Sequence, residues 1–394
     1  MVKYNKEKCR EIKMMKYYLA LLLGSQLDMG TLYLAFILFV FVQKLLYKDG
    51  SFSKIQWQYL GLFILGVILV LFYMLGNDSA YADMPSITLN IRKYFIEIIF
   101  SIAMYEYLKY KDLDYLIEMV FISIIMNVLI GTYQIATTFP ERINMLFTEP
   151  SAAGYYYLFV FFILFEKFKK SELYFYTSRY FMFIGLAIGS KAQIILLALV
   201  AALRYAAPLQ FIVFFSFLGG LTYLFWDNLM EIDVVEYNIR VLQIYWDDGL
   251  SGLRTDNGIW GTYVTRISAI QGALMCIIEH PFGIGFGGFH SWFLENMGSM
   301  GFKSSETDRI LSGVAYATPK SNLLNFFVVT GVFGILLYIS WLKEFYSIRK
   351  KYIYLFQSFI LLTFASLFIE LNPMFMYIMF LFLMKEKEME INGE

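Results

Sequence analysis

The chain has 394 residues, 59% hydrophobic, 20% aromatic and only 16% charged, with a mean hydropathy of +0.58. A soluble domain carries about 45–50% apolar and about 25% charged residues, so a soluble globular chain is excluded, as are a disordered chain and a disulfide scaffold. Lys plus Arg and Asp plus Glu balance at 32 each, leaving no basic excess for nucleic acid; an all-α polytopic integral membrane protein remains.

A helix needs about 20 apolar residues to cross a hydrocarbon core. In chain order the candidate spans are 16–27, 31–46, 57–76, 89–108, 115–137, 151–165, 175–189, 192–203, 210–226, 322–342, 352–371 and 373–384, about twelve helices in one membrane domain over residues 1–394. The runs show no period-2 alternation, which argues for helices over a barrel. All seven prolines fall between runs or in a run's first turn, where no intrahelical N–H bond is lost. The first run follows a basic arm that contains Cys9 and reads as a retained anchor. Cys276 lies on the other side of the membrane in this reading, so the two cysteines do not pair.

Orientation follows from the cations. With the N-terminus inside, 22 of the 32 Lys and Arg residues fall on the inner side, as the positive-inside rule requires, and both termini are cytoplasmic. Two loops then face outward, 138–150 and the large loop 227–321. Loops of the second length are usually functional. Within it, residues 266–278 have helical apolar spacing, and Pro281-Phe-Gly-Ile-Gly-Phe-Gly-Gly reads as a glycine-rich turn.

Loop 138–150 sets Arg142 and Glu149 before a helix start where Ser151 can act as N-cap and free N–H groups favour an anion. A capped helix with solvated loop charges is the other reading. In the large loop, Arg240, Arg254, Arg266, Lys303, Arg309 and Lys320 stand among eleven acidic residues. Arginine is the best side chain for bidentate phosphate binding, and structural pairing is the alternative. Lys191, in Gly189-Ser190-Lys191, is either an external cation or a helix-end lysine snorkelling to the interface. His280 and His290 lack the partners of a metal site, and Gly283-Ile-Gly285-Phe-Gly-Gly288, with no strand before it, carries no dinucleotide reading. Asp28, Glu97, Glu118 and Glu370 lie near span ends and make no proton relay.

Four segments carry a family resemblance. Arg142…Phe147-Thr-Glu149-Pro150-Ser151-Ala-Ala-Gly154 resembles the Arg…Phe-x-Glu-Pro-Ser-x-x-Gly signature of bacterial Wzy-type O-antigen and exopolysaccharide polymerases. Ser190-Lys191 is similar to their Ser-Arg/Lys turn, Arg266…His280-Pro281-Phe-Gly-Ile-Gly to their Arg…Pro-hydrophobic-Gly-hydrophobic-Gly segment, and Lys320-Ser-Asn-Leu-Leu…Gly331-Val-Phe-Gly334 to the span after the large loop. All four stand in family order. O-antigen ligases, close relatives, usually have His-Asn where this chain has Ser321-Asn322, which disfavours a ligase. The family's Arg-x10-Gly spacing is not met, since Arg142 to Gly154 and Arg240 to Gly252 each have eleven intervening residues, which weakens a role for Arg240.

The resemblance implies a glycosyltransferase-C-like enzyme of the bacterial plasma (inner) membrane. It would join undecaprenyl-pyrophosphate-linked oligosaccharides on the outer face, donor to acceptor, with no cofactor or metal and no nucleic acid partner. A flippase and a chain-length regulator are its expected protein partners in the bilayer. The pyrophosphate leaving group calls for cations, and Arg142, Lys191, Arg254 and Arg266 are the expected set. Glu149 is the expected general base, with a loop-capping role as its alternative; Glu149, Arg142 and Arg266 form the expected catalytic group. An O-antigen-ligase-like transferase and a lipid-linked glycan flippase are the competing functions. A flippase is the poorer fit, since it calls for charged residues within the spans and short loops on both sides.

Overall fold

The computed structural model describes residues 14–25, 29–47, 51–76, 84–138, 143–168, 171–188, 216, 220, 240, 243–244, 246–248, 261–297, 305–368 and 374–393. Their regular structure is entirely helical: α1 Met14–Leu23, α2 Met29–Tyr47, α3 Lys54–Gly76, α4 Met84–Leu108, α5 Leu113–Thr138, α6 Pro150–Lys167, α7 Glu172–Ile188, α8 Gly261–Glu279, α9 Gly288–Met297, α10 Ser305–Leu311, α11 Asn322–Ser347, α12 Ile353–Phe368 and α13 Met374–Ile391. Three of them, α3, α5 and α11, are long and apolar enough to cross a membrane. Shorter apolar helices accompany them in α1, α2, α6 and α12, an arrangement that points to membrane association. The expected spans 192–203 and 210–226 lie outside the described residues.

Ion pairs tie one end of this bundle together. Lys16 of α1 pairs with Glu118 of α5, and Lys167 of α6 with Glu388 of α13. Lys109 reaches Glu106 of α4 at 2.7 Å. Lys44 of α2 lies 3.2 Å from the same carboxylate without hydrogen-bond geometry, over the Phe52 ring. Lys54 of α3 and Lys385 of α13 both reach Glu344 of α11 at 3.0 Å. These contacts gather the starts of α1, α3 and α5 with the ends of α2, α4, α6, α11 and α13, so successive helices alternate in direction. All six, Lys16, Lys44, Lys54, Lys109, Lys167 and Lys385, are among the 22 cations that the positive-inside reading of the sequence expects on the inner side.

At the centre stands α13, in which every residue from Met374 to Met384 is buried. A helix that is apolar all round is covered all round, and α13 packs on α4, α5 and α12. Its first turn has free N–H groups, one of which, from Phe375, donates to Glu97 Oε1 of α4 at 3.2 Å. Glu97 is thus a helix cap supplied by a neighbour, while Tyr59 of α3 donates to the Phe375 carbonyl at 2.9 Å.

The glycine-rich turn, read from sequence as part of a loop, is threaded between α3 and α11. Gly331 interrupts α11 with φ 58° and ψ −143°, which frees backbone groups on either side. Val332 N–H then donates to the Pro281 carbonyl at 2.7 Å, while Ile284 and Gly285 N–H donate to Val328 and Val329, each at 3.0 Å. Phe286 N–H reaches Gly66 O of α3 at 3.4 Å. Gly66 lies ten residues before the end of α3, so the turn reaches about 15 Å below that end at 1.5 Å per residue. Irregular backbone at such depth persists only where protein satisfies it. Gly285 has φ +72°, and a Cβ there would lie 2.1 Å from Val70 N, so no larger residue fits. Phe286 follows and packs its ring against Tyr94 and Phe63, with centroids 4.8 and 5.6 Å away.

Candidate functional site

The loop ahead of α6 is held by two amides. Asn127 and Gln134 are two turns apart on α5 and so share a face. Gln134 Oε1 accepts from Asn144 N at 3.2 Å and Met145 N at 2.8 Å, and its Nε2 donates to Asn144 Oδ1 and to Met145 O. Asn127 Oδ1 accepts from Leu146 N at 3.3 Å, while its Nδ2 donates to Gly24 O. Met145 is kept at φ 52°, a left-handed conformation that an L side chain adopts only when its surroundings enforce it. Ile143, Met145 and Phe147 turn inward, and Thr148 and Glu149 remain exposed.

Glu149 is the N-cap residue of α6, with φ −140° and ψ 149°, and Pro150 takes the first helical position. This corrects the expectation for Ser151: proline's fixed φ suits the first turn, which moves the cap to the residue before it. The Glu149 carbonyl accepts from Ala152 and Ala153 N–H. Its carboxylate makes no capping bond and instead accepts the Ser151 hydroxyl at Oε2, 3.2 Å away. Of its two expected roles, side-chain capping is therefore not the one it performs here. The carboxylate stands exposed at the helix start.

Two helix starts meet beneath this point. Tyr155 of α6 hydrogen-bonds Ser366 Oγ of α12 at 2.6 Å, and Ser321 donates to the Ser366 carbonyl at 2.9 Å. Ser321 is also the N-cap of α11, accepting from Leu324 N at 3.2 Å, so the residue that replaces the ligase-type histidine has a capping task. Just before it, Lys320 sits at φ 56°. Further down α11, Val328 and Val329 hold the glycine-rich turn, and α8 packs on the same helix. Three of the four resembling segments are thus collected by α11 and α12.

Arg266 is exposed on α8, and the described contacts do not join it to Glu149. Arg142, Lys191 and Arg254 lie outside the described residues, and Arg240 is exposed. His290 is buried, and its Nδ1 accepts from Ala317 N–H at 3.1 Å, which gives it a structural task. Cys276 is a buried free thiol, and burial pushes its pKa well above the usual thiol range. Among the described residues no three His, Cys, Asp or Glu side chains cluster as a metal site needs. Sequence reading missed Asn127, Gln134 and Ser366. The two amides carried a signal, since they stand seven residues apart in an otherwise apolar run.

No protein-family model, curated protein or solved structure matches the chain.

Proposed function

We propose that the chain is a polysaccharide polymerase of the bacterial plasma membrane, which joins undecaprenyl-pyrophosphate-linked oligosaccharide repeat units on the outer face. The observation that carries this reading is the convergence on α11 and α12. The Glu149 segment, the Lys320-Ser321 segment and the glycine-rich turn are far apart in sequence and meet there through Ser366, Val328 and Val329. The inner side is the lysine-rich end of the bundle under the positive-inside rule, which turns Glu149 and Lys320 outward. Both termini are cytoplasmic in this reading, and the full count is about twelve spans.

In the reaction, the acceptor sugar's hydroxyl oxygen bonds to the donor's anomeric carbon. The bond from that carbon to the lipid pyrophosphate breaks, and its electron pair leaves with the pyrophosphate. Glu149 takes the hydroxyl proton, and its exposed carboxylate, which among the described residues has Ser151 as its partner, suits a group that must meet substrate. Arg142, Lys191, Arg254 and Arg266 offset the pyrophosphate charge, with Lys320 beside the α11 start as a further cation. Because the donor carries its own activation, purified protein in nanodiscs should lengthen lipid-linked repeat units without nucleotide sugar or ATP, and EDTA should leave the rate unchanged. Glu149→Gln should lower that rate about 10²-fold or more, the lower end for a general base. Absence of elongation by the wild type, with lipid scrambling across the bilayer, would assign the chain to transport instead.

A further inference from the structure

At the Gly76 end of α3, opposite the lysine-rich end, a cavity of about 330 Å³ opens between α3, the end of α8 and α9, walled by Phe72, Tyr73, Glu279, His280, Trp292 and Glu295. It lies at the small end of the ligand-pocket range, about 300–1,000 Å³. Its floor is built. Trp292 is only 2% exposed, and its indole N–H donates to Glu279 Oε2 at 2.8 Å, which fixes the carboxylate's direction. Among the described residues only Oε2 of Glu279 is engaged, so Oε1 is left as an acceptor. The Tyr73 ring meets His280 edge-on at 5.9 Å, and Phe72, 68% exposed, stands at the rim. Trp292 belongs to an apolar cluster with Phe289, Phe293, Cys276 and Val328, so the wall is continuous with the helix that holds the glycine-rich turn.

Among the described residues the wall has two carboxylates, three aromatic rings, an imidazole and no Lys or Arg. That chemistry repels a pyrophosphate. It suits a neutral polyol, whose hydroxyls need acceptors and whose C–H face packs on aromatic rings. We propose that this cavity is a glycan subsite that holds an uncharged sugar of the acceptor repeat unit, separate from the cations that hold the donor's pyrophosphate. That the sugar belongs to an acceptor rests on the polymerase reading; that the cavity takes a sugar does not.

The test uses the full chain in nanodiscs and the free oligosaccharide released from the producing cell's lipid-linked repeat units. Saturation-transfer NMR should detect this pyrophosphate-free sugar on the wild type. Tyr73→Ala and Glu295→Ala, with melting temperatures checked against the wild type, should each weaken it about tenfold, the scale of one aromatic face for the first and of one hydrogen bond to a charged group for the second. Glu279→Gln, which keeps the shape and an oxygen for Trp292, should weaken it without unfolding the wall. Equal sugar binding by all three variants would overturn the subsite, as would tetramethylammonium binding in place of the sugar. In the elongation assay the variants should raise KM for acceptor with kcat little changed. Elongation with unchanged KM would sink the subsite and leave the polymerase reading standing; sugar binding lost in the variants, with no elongation by the wild type, would do the reverse.

Discussion

Gly285→Ala puts the threaded turn to a quantitative test. At φ +72° an L side chain costs about 1–2 kcal/mol. The new Cβ would also lie 2.1 Å from Val70 N and 2.5 Å from Val70 Cα. These are backbone atoms of α3 that cannot rotate away, and overpacking of this kind costs about 1–3 kcal/mol. The sum is about 2–5 kcal/mol. Gly313 is the internal control, with φ +74° and nothing within 4 Å of an added Cβ, so Gly313→Ala carries the backbone cost alone. The readout is the temperature at which the detergent-solubilised protein loses its monodisperse peak. A kcal/mol moves the midpoint of a mid-sized domain by about 2–4 °C, and less in a longer chain, so Gly285→Ala should melt on the order of 5 °C lower and Gly313→Ala about 2 °C lower. A thiol-reactive dye in a Cys9→Ser background gives a second measure, because Cys276 is buried beside the turn's helix and should label earlier in Gly285→Ala. Equal shifts for the two variants would refute the wedge between α3 and α11.

The remaining predictions use the same preparations. Single cysteines at the exposed positions Thr148 and Ser312 should react with an impermeant reagent outside the cell, while those at Ser171 and Ser347, also exposed, should stay protected; the opposite pattern would invert the orientation. Gln134→Leu leaves the Asn144 and Met145 N–H groups without their acceptor, at about 1–3 kcal/mol each. It should cut elongation more than tenfold in protein that still purifies, and full activity would show that the Glu149 loop needs no clamp. Arg142→Ala and Arg266→Ala should each abolish long-chain product with lipid-linked single units accumulating; normal polymer from both would remove the cationic site. Burial raises the Glu386 carboxyl above the usual range, so its stabilising contribution is present at low pH and lost as pH rises through the folded value. Glu386→Gln should therefore match the wild type below the carboxylate range and gain on it at higher pH, and a melting difference that ignores pH would contradict this.

Much of the helical layout was legible because long apolar runs leave few options. The runs 57–76, 115–137 and 322–342 return as α3, α5 and α11 within a few residues. Lysine asymmetry was equally readable, and the ion pairs gather those same lysines at one end. What could not be read was anything made by pairing between distant segments. Pro281–Gly288 has the composition of a surface turn, and only the interruption at Gly331 turns it into a partner for α11. Glu97 likewise looks like an isolated acid until the start of α13 is brought to it. For the candidate site, the motif singled out Glu149 as an expectation, but the residues that shape its loop, Asn127 and Gln134, lie in a span where hydropathy averages them away. The Ser151 cap failed for a local reason: Pro150 had already claimed the first helical position.

The position of α13 in the chain has a consequence for biogenesis. The helix buried on every side at the centre of the bundle is the last of the described helices to leave the ribosome. Its partners α4, α5 and α12 are inserted first, and they must wait around an unfilled axis, with Glu97 and Tyr59 facing a helix that does not yet exist. Synthesis at about 5–20 residues per second makes that wait tens of seconds for α4. Throughout it the nascent bundle exposes the very surfaces that α13 later covers.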